Sequence, residues 1–343
     1  MGIYFVGAED CDFLNFGGGV VTTDSSHFRS AYARCALQIN VTTPTSYGLS
    51  SYWASPTGAF TQSSFWMTAR YYDASISNAG DAGYLVRWND SSGNARLLVG
   101  YDCQSNDTGP STWLYQLKTV DSSGNVTILA NSVAGINSGY VAKLDFYVDY
   151  ASAGSFQMYV DGVPFLSYTG NLTTNGLTTL AGFNLGQSTQ GNDNAGIVAW
   201  SEVIVSSSDT RSMSLETLPP NGQGATSQWT GDATGNSVNE VVLNDSSGIS
   251  SDTADQIELF TQPGTSVAPF IAAVAVTARA MTASGAPQNI GLLLRSGGVT
   301  GSSPAEALAN SFGFHQYIWT TDPATGNPFA SLSTVQTGIE SLA

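Results

Sequence analysis

A tight-turn signal lies in residues 156–168, which read F-Q-M-Y-V-D-G-V-P-F-L-S-Y. Apolar residues alternate on both sides of Asp161-Gly162, and Asp-Gly between alternating hydrophobic residues favours a hairpin closed by a primed two-residue turn. The side chains of a strand alternate between its two faces, so Phe156, Met158 and Val160 share one face. The segment therefore predicts two antiparallel strands in a sheet that is packed on one side only.

Turn residues between β-rich segments recur along the chain. The pentapeptide Asp-Ser-Ser-Gly-Asn occurs at residues 90–94 and again at 121–125, and such glycine-containing loops predict two further hairpins. Residues 143–150 alternate and predict a strand. Residues 31–41 fit a helix and a strand alike, and their β-branched end favours the strand. With 37 glycines and only 10% charged residues, the chain is expected to be all-β.

The best candidate linker is Pro219-Pro220-Asn221-Gly222, because paired prolines cannot continue a strand ladder. We predict that residues 1–218 form a two-sheet jelly-roll β-sandwich and that residues 225–343 form a second, smaller β-rich domain. Its predicted elements are five strands at 238–243, 257–260, 270–280, 290–295 and 314–320, one or two helical turns at 303–310, and a closing helix at 329–342.

The charge balance limits the classes of partner. With 26 acidic and 10 basic residues, and a net charge of −16, the chain is not expected to bind nucleic acid, because phosphate backbones require clustered Lys and Arg. The longest apolar run, residues 267–278, is shorter than the roughly 20 residues that span a bilayer, so no membrane insertion is expected. Residues 1–16 have no basic residue ahead of an apolar segment, which predicts synthesis without a secretory signal.

The sequence assigns no catalytic residue. Glycoside hydrolysis needs two carboxyl groups about 5–5.5 or 6.5–9.5 Å apart, whereas Asp145 and Asp149 share a strand face at a separation of roughly 13 Å. We therefore expect both aspartates to be solvated. His27 and His315 are the only histidines, and neither has an acidic residue or cysteine at the spacing of a metal site. The sequence also has no G-x-S-x-G motif to supply a serine nucleophile.

No cofactor and no metal site are assigned either. Cysteines 11, 35 and 103 lack zinc-type spacing and are expected to be buried thiols. Oxygen-rich loops at 106–108 and 192–194 carry the residue types that bind calcium, but such triplets are ordinary turn chemistry.

Exposed aromatic residues stack on sugar rings or anchor protein interfaces, so aromatic and polar loop residues are the candidates for ligand binding. The candidate ligand-binding residues are Trp53, Trp113, Asn106, Asp107 and Asp193. Three further tryptophans fall inside predicted strands and are expected in the core: Trp66, Trp88 and Trp200.

Four short segments carry a resemblance to a known family: residues 200–205 (W-S-E-V-I-V), 209–211 (D-T-R), 229–232 (W-T-G-D) and 321–326 (T-D-P-A-T-G). They resemble a group of virion structural proteins of tailed bacteriophages. The N-terminal part of those proteins is similar to a concanavalin A-like lectin/glucanase jelly roll, and the glucanase motif Glu-x-Asp-x-Glu is missing from this sequence.

The resemblance implies a non-enzymatic structural protein that is exposed on the virion as a decoration, fibre or adhesion component and is assembled in the host cytoplasm. The implied partners are other head or tail proteins and a host-surface glycan. A homo-oligomer is expected because virion appendages repeat around symmetry axes. Two alternatives stay open: a polysaccharide-degrading glycoside hydrolase on the same sandwich, and a pure capsid or tail cement protein.

Overall fold

The computed structural model describes most of the chain, and the statements below concern that part only. The described residues are 2–9, 12–16, 20–29, 32–41, 46–52, 54–55, 58–59, 62–73, 82–102, 114–136, 139–188, 196–232, 234–242, 244–264 and 270–343. None of them belongs to a helix with the length and apolar character needed to cross a bilayer.

Seventeen strands lie in the described residues up to position 206. They are β1 (Ile3–Gly7), β2 (Leu14–Phe16), β3 (Val20–Asp24), β4 (Ala36–Val41), β5 (Ser46–Tyr52), β6 (Ala54–Ser55), β7 (Gly58–Ala59), β8 (Ser64–Asp73), β9 (Ala82–Asn89), β10 (Ala95–Asp102), β11 (Leu114–Val120), β12 (Val126–Asn131), β13 (Val141–Asp149), β14 (Gly154–Val160), β15 (Val163–Gly170), β16 (Gly182–Ser188) and β17 (Gly196–Ser206).

Eight more strands lie in the described residues after position 221. They are β18 (Gly222–Ser227), β19 (Ile257–Thr261), β20 (Val274–Ala280), β21 (Asn289–Ser296), β22 (Val299–Ser302), β23 (Glu306–Ala307), β24 (Gly313–Trp319) and β25 (Gln336–Leu342).

Two large antiparallel sheets form an N-terminal sandwich. Sheet 1 has the strand order β15-β14-β13-β8-β17-β4-β3, with β1 also paired to β17, and sheet 2 has the order β12-β11-β10-β9-β16-β5-β2. Aromatic side chains join the two inner faces: the Trp88 ring of sheet 2 meets the Phe146 and Phe156 rings of sheet 1 edge-on, with centroids 5.6 and 6.0 Å apart. Such interdigitation of inner-facing residues is what holds a β-sandwich together.

The C-terminal strands form a smaller β-rich part. Sheet 3 has the order β18-β19-β25-β21-β22, with β23 on β21, and β20 pairs with β24 in a separate two-stranded sheet. Its core contains the buried side chains of Leu292, Leu294, Trp319 and Phe329. The predicted fold class is thereby confirmed: the chain is all-β, with a two-sheet antiparallel sandwich followed by a smaller β-rich part. The boundaries 1–218 and 225–343, as units that fold independently, stay a prediction.

The hairpin predictions are confirmed. Asp161 and Gly162 have φ values of 51° and 79°, the pair of positive values that a type I′ turn requires, and they join β14 to β15. In the two repeated loops, the Asp90 and Asp121 carboxylates accept hydrogen bonds from the backbone N–H groups two and four residues later. Each carboxylate therefore fixes the turn of its own hairpin.

Several C-terminal predictions are wrong. Residues 336–342 form β25 in the centre of sheet 3, not part of a helix, because the run pairs with β19 on one side and β21 on the other. Residues 306–307 form the short strand β23 where helical turns were expected. The described residues within 238–243 form no strand. The other four predicted strands correspond to β19, β20, β21 and β24, with β20 beginning only at Val274.

The two-stranded sheet of β20 and β24 lies against the N-terminal sandwich. Gln316 Nε2 of β24 donates to the Val6 carbonyl oxygen of β1 at 2.9 Å. Arg34 of the sandwich donates through Nη1 to the Asn239 carbonyl oxygen at 2.5 Å. A cleft of 1160 Å³ lies where the two parts meet, and Asp12 and Thr277 are among the residues on its walls. One face of β20 therefore faces the sandwich of the same chain.

Candidate functional site

The outer face of sheet 1, the side that points away from sheet 2, gathers polar and aromatic side chains. Residues two apart on a strand share a face, and directly opposed residues on neighbouring strands lie side by side. The opposed pairs of β8 and β13 on this face are Arg70 with Lys143, Thr68 with Asp145, and Trp66 with Tyr147.

Basic residues are concentrated on this face. Arg29, Arg70, Lys143 and Arg211 are four of the ten Lys and Arg residues in the chain. The carboxylates of Asp145, Glu202 and Asp209 lie beside them on the same face, so this surface carries mixed charge. The outer face of sheet 1 therefore offers an anionic ligand several cations in a chain that is otherwise strongly acidic.

A β-bulge in β17 places Glu202 among these cations. The register between β17 and β8 shifts between Ser201 and Ile204, and Glu202 has a φ of 52°, which is uncommon for a residue with a side chain. The Glu202 carboxylate accepts the Arg29 backbone N–H at 3.2 Å and lies 3.9 Å from Arg70 Nε. Burial raises the pKa of Glu202, although the Arg29 N–H and the Arg70 charge act in the opposite direction.

Lys143 and Asp145 form a second charged pair on the same face. Lys143 Nζ lies 3.6 Å from Asp145 Oδ1, and the Asp145 side chain is only 1% exposed. The expectation of a solvated Asp145 is therefore wrong. Burial lowers the pKa of Lys143 and raises the pKa of Asp145, because desolvation penalises the charged form of both. Perturbed titratable groups that cluster in this way are typical of functional sites.

A histidine–aspartate pair lies at the other end of this polar face. His27 Nδ1 is 2.5 Å from Asp24 Oδ2, and the imidazole stacks on the Tyr72 ring with a centroid distance of 3.5 Å and an interplanar angle of 18°. Desolvation acts to raise the pKa of Asp24, but hydrogen bonds from His27 and Ser26 outweigh it and lower the pKa overall. The sequence analysis missed this pair, although Asp24 precedes His27 by three residues in a serine-containing turn.

The pair lies close to the cations. Tyr72 and Arg70 are two residues apart on β8 and point to the same face, so they are roughly 7 Å apart along the strand. The Arg29 backbone N–H bonds to Glu202, the residue beside Arg70, whereas the Arg29 guanidinium lies 3.5 Å from the centroid of the Tyr32 ring. A carboxylate-oriented imidazole, a phenol and the Arg70 guanidinium therefore lie on one surface.

The segment that follows β17 crosses over the cations. We call residues 207–215 the strap. Lys143 Nζ donates to the Arg211 carbonyl oxygen at 2.5 Å, and Arg29 Nη2 donates to Ser214 Oγ at 3.4 Å. Between the strap and the sheet, a cavity of about 10 Å³ is lined by Arg29, Arg70, Lys143 and Glu202 among others, which is about the volume that one water molecule needs.

Three aromatic rings lie on the same outer face, beside the strap. The Trp66 ring centroid is 5.0 Å from that of Tyr147 and 6.4 Å from that of Tyr159. We call these three rings the aromatic platform. Arg211 of the strap lies over it, with Cζ 4.9 Å from the Trp66 centroid and 4.8 Å from the Tyr159 centroid. The prediction that Trp66 belongs to the core is wrong, since its opposed partner and its contacts are all on the outer face.

The other predicted site residues have different outcomes. Trp88 and Trp200 are fully buried, as predicted. All five candidate ligand-binding residues lie outside the described part of the chain: Trp53, Trp113, Asn106, Asp107 and Asp193. Cys35 is buried. Within the described ranges no group of three or more His, Cys, Asp or Glu side chains is placed to hold a metal ion.

Comparison with known proteins gave no match by sequence. No protein-family model matches the chain, and no curated protein matches it. Among solved structures, the endo-β-1,4-glucuronan lyase of the fungus Trichoderma reesei is 12% identical with a TM-score of 0.44, over 60% of this chain and 96% of that chain. Alginate lyase Aly36B is 12% identical with a TM-score of 0.39, over 62% and 95%. The carbohydrate-binding module CBM66 of Bacillus subtilis is 12% identical with a TM-score of 0.35, over 55% and 92%.

These similar structures correct two expectations. The chain was expected to be a non-enzymatic structural protein, whereas the proteins that it is similar to cleave polysaccharides or bind carbohydrate. Polysaccharide degradation, held above as an alternative in the form of a glycoside hydrolase, replaces that expectation. At these identities and TM-scores, no substrate and no residue role passes to this chain, so its chemistry has to be argued from its own side chains.

Proposed function

We propose that the chain binds an acidic polysaccharide along the outer face of sheet 1 and cleaves it by β-elimination. The observation that carries the proposal is the Asp24–His27 pair stacked on Tyr72, which shares the outer face of β8 with Arg70. This arrangement supplies a base, an acid and a charge-neutralising group, which are the three roles that an elimination next to a carboxylate requires.

His27 is the candidate base. A carboxylate accepts hydrogen bonds, so Asp24 selects the tautomer in which Nδ1 carries the proton and Nε2 carries the lone pair. In the proposed reaction, Nε2 removes the proton from the sugar carbon next to the carboxylate. The electron pair forms a carbon–carbon double bond as the bond to the leaving glycosidic oxygen breaks.

Tyr72 and Arg70 are assigned the other two roles. The Tyr72 hydroxyl is the candidate proton donor to the leaving oxygen, since its ring lies against that of His27. Arg70 pairs with the sugar carboxylate and stabilises the negative charge that develops on it. The Arg70 side chain keeps 19% of its surface exposed beside the strap, so a ligand can reach it.

The test is incubation of the purified chain with polyglucuronate, alginate and a neutral glucan. We expect unsaturated uronate ends, seen by ultraviolet absorbance, from an acidic polymer and none from the neutral one. General acid–base groups contribute about 10²–10⁴-fold to a rate, so His27→Gln and Tyr72→Phe should each lower kcat by about that factor.

His315→Gln is the matched control, because it removes the other histidine, which pairs with Glu306 in the C-terminal part. A His27→Gln variant that cleaves as fast as the parent overturns the elimination mechanism. Product without a double bond would indicate hydrolysis instead.

A second candidate function is carbohydrate binding without cleavage. The observation that favours it is the strap, which bonds to Lys143 and Arg29 and covers part of the cation cluster. Affinity for an acidic polysaccharide without release of any product would support it.

The virion location, the virion partners and the homo-oligomeric state stay predictions from the sequence. Light scattering of the purified chain tests self-assembly, and protein analysis of purified particles tests the location.

A further inference from the structure

Arg211 is held in a fixed orientation over the aromatic platform. Its guanidinium lies 4.9 Å from the Trp66 centroid and 4.8 Å from the Tyr159 centroid, within the range in which a cation is attracted to the face of a ring. A guanidinium presents its N–H donors in a planar fork that matches a carboxylate. Stacking therefore orients a carboxylate-binding group before any ligand arrives.

The fork of Arg211 is already occupied from within the chain. Its Nε donates to Asp209 Oδ1 and Oδ2 at 3.0 Å, and its Nη2 donates to Oδ2 at 2.6 Å. Asp209 supplies the same chemical group as the carboxylate of an acidic sugar. The Arg211 and Asp209 side chains are 40% and 43% exposed, so a ligand in solution can reach both partners of the pair.

We infer that Arg211 on the aromatic platform is a subsite for the carboxylate of an acidic sugar, and that Asp209 occupies this subsite when no ligand is bound. A ligand carboxylate exchanges with that of Asp209 on the Arg211 fork. Aromatic rings also pack against the apolar faces of sugars, so Tyr147, the third ring of the platform, extends the surface on which the sugar lies.

The exchange is energetically feasible. An exposed ion pair contributes little to stability, so its loss opposes ligand binding only weakly. The Arg211 backbone N–H also donates to Asp209 Oδ1 at 2.9 Å, and an asparagine oxygen can accept that bond equally well. Asp209→Asn therefore removes the competing charge while it keeps the local turn.

The subsite lies on the same surface as the candidate catalytic groups, and the inference rests on the proposed function for the identity of its ligand. Trp66 and Tyr72 both point outward from β8 and are six residues apart, which is roughly 20 Å along a strand. Lys143, which lies opposite Arg70 on the neighbouring strand, donates to the Arg211 carbonyl oxygen and so links the cations to the strap. A polymer that follows the direction of β8 and passes over the strap would contact both the subsite and the candidate catalytic groups.

The test is calorimetric titration of a short oligouronate, with an uncharged oligosaccharide of equal length as comparison, in the His27→Gln background so that the ligand is not cleaved. We expect Asp209→Asn to tighten oligouronate binding by about two- to fivefold, the factor that corresponds to an exposed ion pair. Arg211→Gln should weaken it about tenfold or more, because charge-assisted bidentate bonds are lost. Affinity for the uncharged ligand should change little in either variant.

The chain contains a matched control. In the C-terminal part, Arg279 is bound by Asp245 through two bonds of 2.8 Å and lies over Phe312 and Phe314 at 5.1 and 4.9 Å. Asp245→Asn changes the net charge by the same amount, but its ion pair does not lie on the outer face of sheet 1, where the candidate catalytic groups and the proposed polymer path are. We expect it to leave oligouronate affinity unchanged.

The possible results separate the subsite from the proposed function. Oligouronate binding that is indifferent to both Asp209→Asn and Arg211→Gln overturns the subsite, even if the parent chain cleaves the polymer. Binding that depends on Arg211 in a chain that cleaves nothing supports the subsite and overturns the elimination mechanism. Equal tightening by Asp209→Asn and Asp245→Asn would show an effect of net charge alone and would also overturn the subsite. If the oligouronate does not bind at all, both proposals fail.

Discussion

At the scale of single residues, Asp24 orients His27 for its proposed role as a base. The aspartate ends β3, and its Oδ1 accepts the backbone N–H groups of Ser26 and His27 at 2.7 and 3.1 Å while Oδ2 holds the imidazole. One side chain therefore fixes both the turn and the tautomer. Aspartate and serine favour such turns, so the sequence contained the local signal. It did not show that Tyr72, from a distant strand, lies under the ring.

Asp24→Asn tests this role. An asparagine at this position can accept the turn bonds, but its amide can also donate to Nδ1, which shifts the proton to Nε2 and removes the base. Replacing the aspartate that fixes the tautomer of a catalytic histidine by asparagine lowers kcat about 10⁴-fold in a Ser-His-Asp triad, so kcat on the acidic polymer should fall by up to about that factor while KM changes little. Asp121→Asn, in an exposed hairpin turn, is the control. An unchanged kcat for Asp24→Asn would remove Asp24 from the mechanism.

At the scale of elements, turn chemistry was predictable and sheet position was not. Asp-Gly and the repeated Asp-Ser-Ser-Gly-Asn loops determine hairpins locally, and all three hairpins form. The apolar residues Leu332, Val335 and Ile339 have helix-like spacing, yet the first two are buried ahead of a strand and Ile339 lies in it, opposite Leu292. Their burial depends on sheet 3, whose strands come from distant parts of the sequence. For the same reason the candidate site could not be predicted from the sequence, because it depends on the register between strands and on the bulge at Glu202.

Gly338 explains why β25 can lie in the middle of sheet 3. An added Cβ at this position would overlap the Glu258 carbonyl oxygen and would lie 3.0 Å from Leu259 Cα, so the neighbouring backbone would have to move. Overpacking of this kind costs about 1–3 kcal/mol, and we expect Gly338→Ala to lower the free energy of unfolding by that amount. Urea denaturation measures it. Gly264→Ala is the control, since its added Cβ has no atom within 4 Å. Equal stability of the two variants would contradict the close approach.

At the scale of the whole molecule, the contact between the sandwich and the C-terminal strands contains a titratable group. Asp12 accepts the backbone N–H groups of Ala8 and Glu9 at 2.8 and 3.0 Å, and both it and Thr277 of β20 line the cleft between the two parts. Burial raises the pKa of Asp12 from 3.8 to about 6, since desolvation outweighs the hydrogen bonds that favour the charged form. The contact is therefore expected to respond to mild acidity.

The sign of this response follows from linkage. Because the pKa of Asp12 is higher in the folded chain than in the unfolded chain, folding binds a proton, and the resulting stabilisation is complete below pH 3.8 and is lost as the pH rises to about 6. We expect the free energy of unfolding to fall by about 1–2 kcal/mol across this window, a value reduced from the full shift because the side chain is only partly buried. Urea denaturation at a series of pH values measures the change. Asp12→Asn should reduce the change and exposed Asp232→Asn should not, while Asp145 and Glu202, whose pKa values burial also raises, contribute the remainder. If the slope is unchanged in Asp12→Asn, another group controls the pH dependence of the contact.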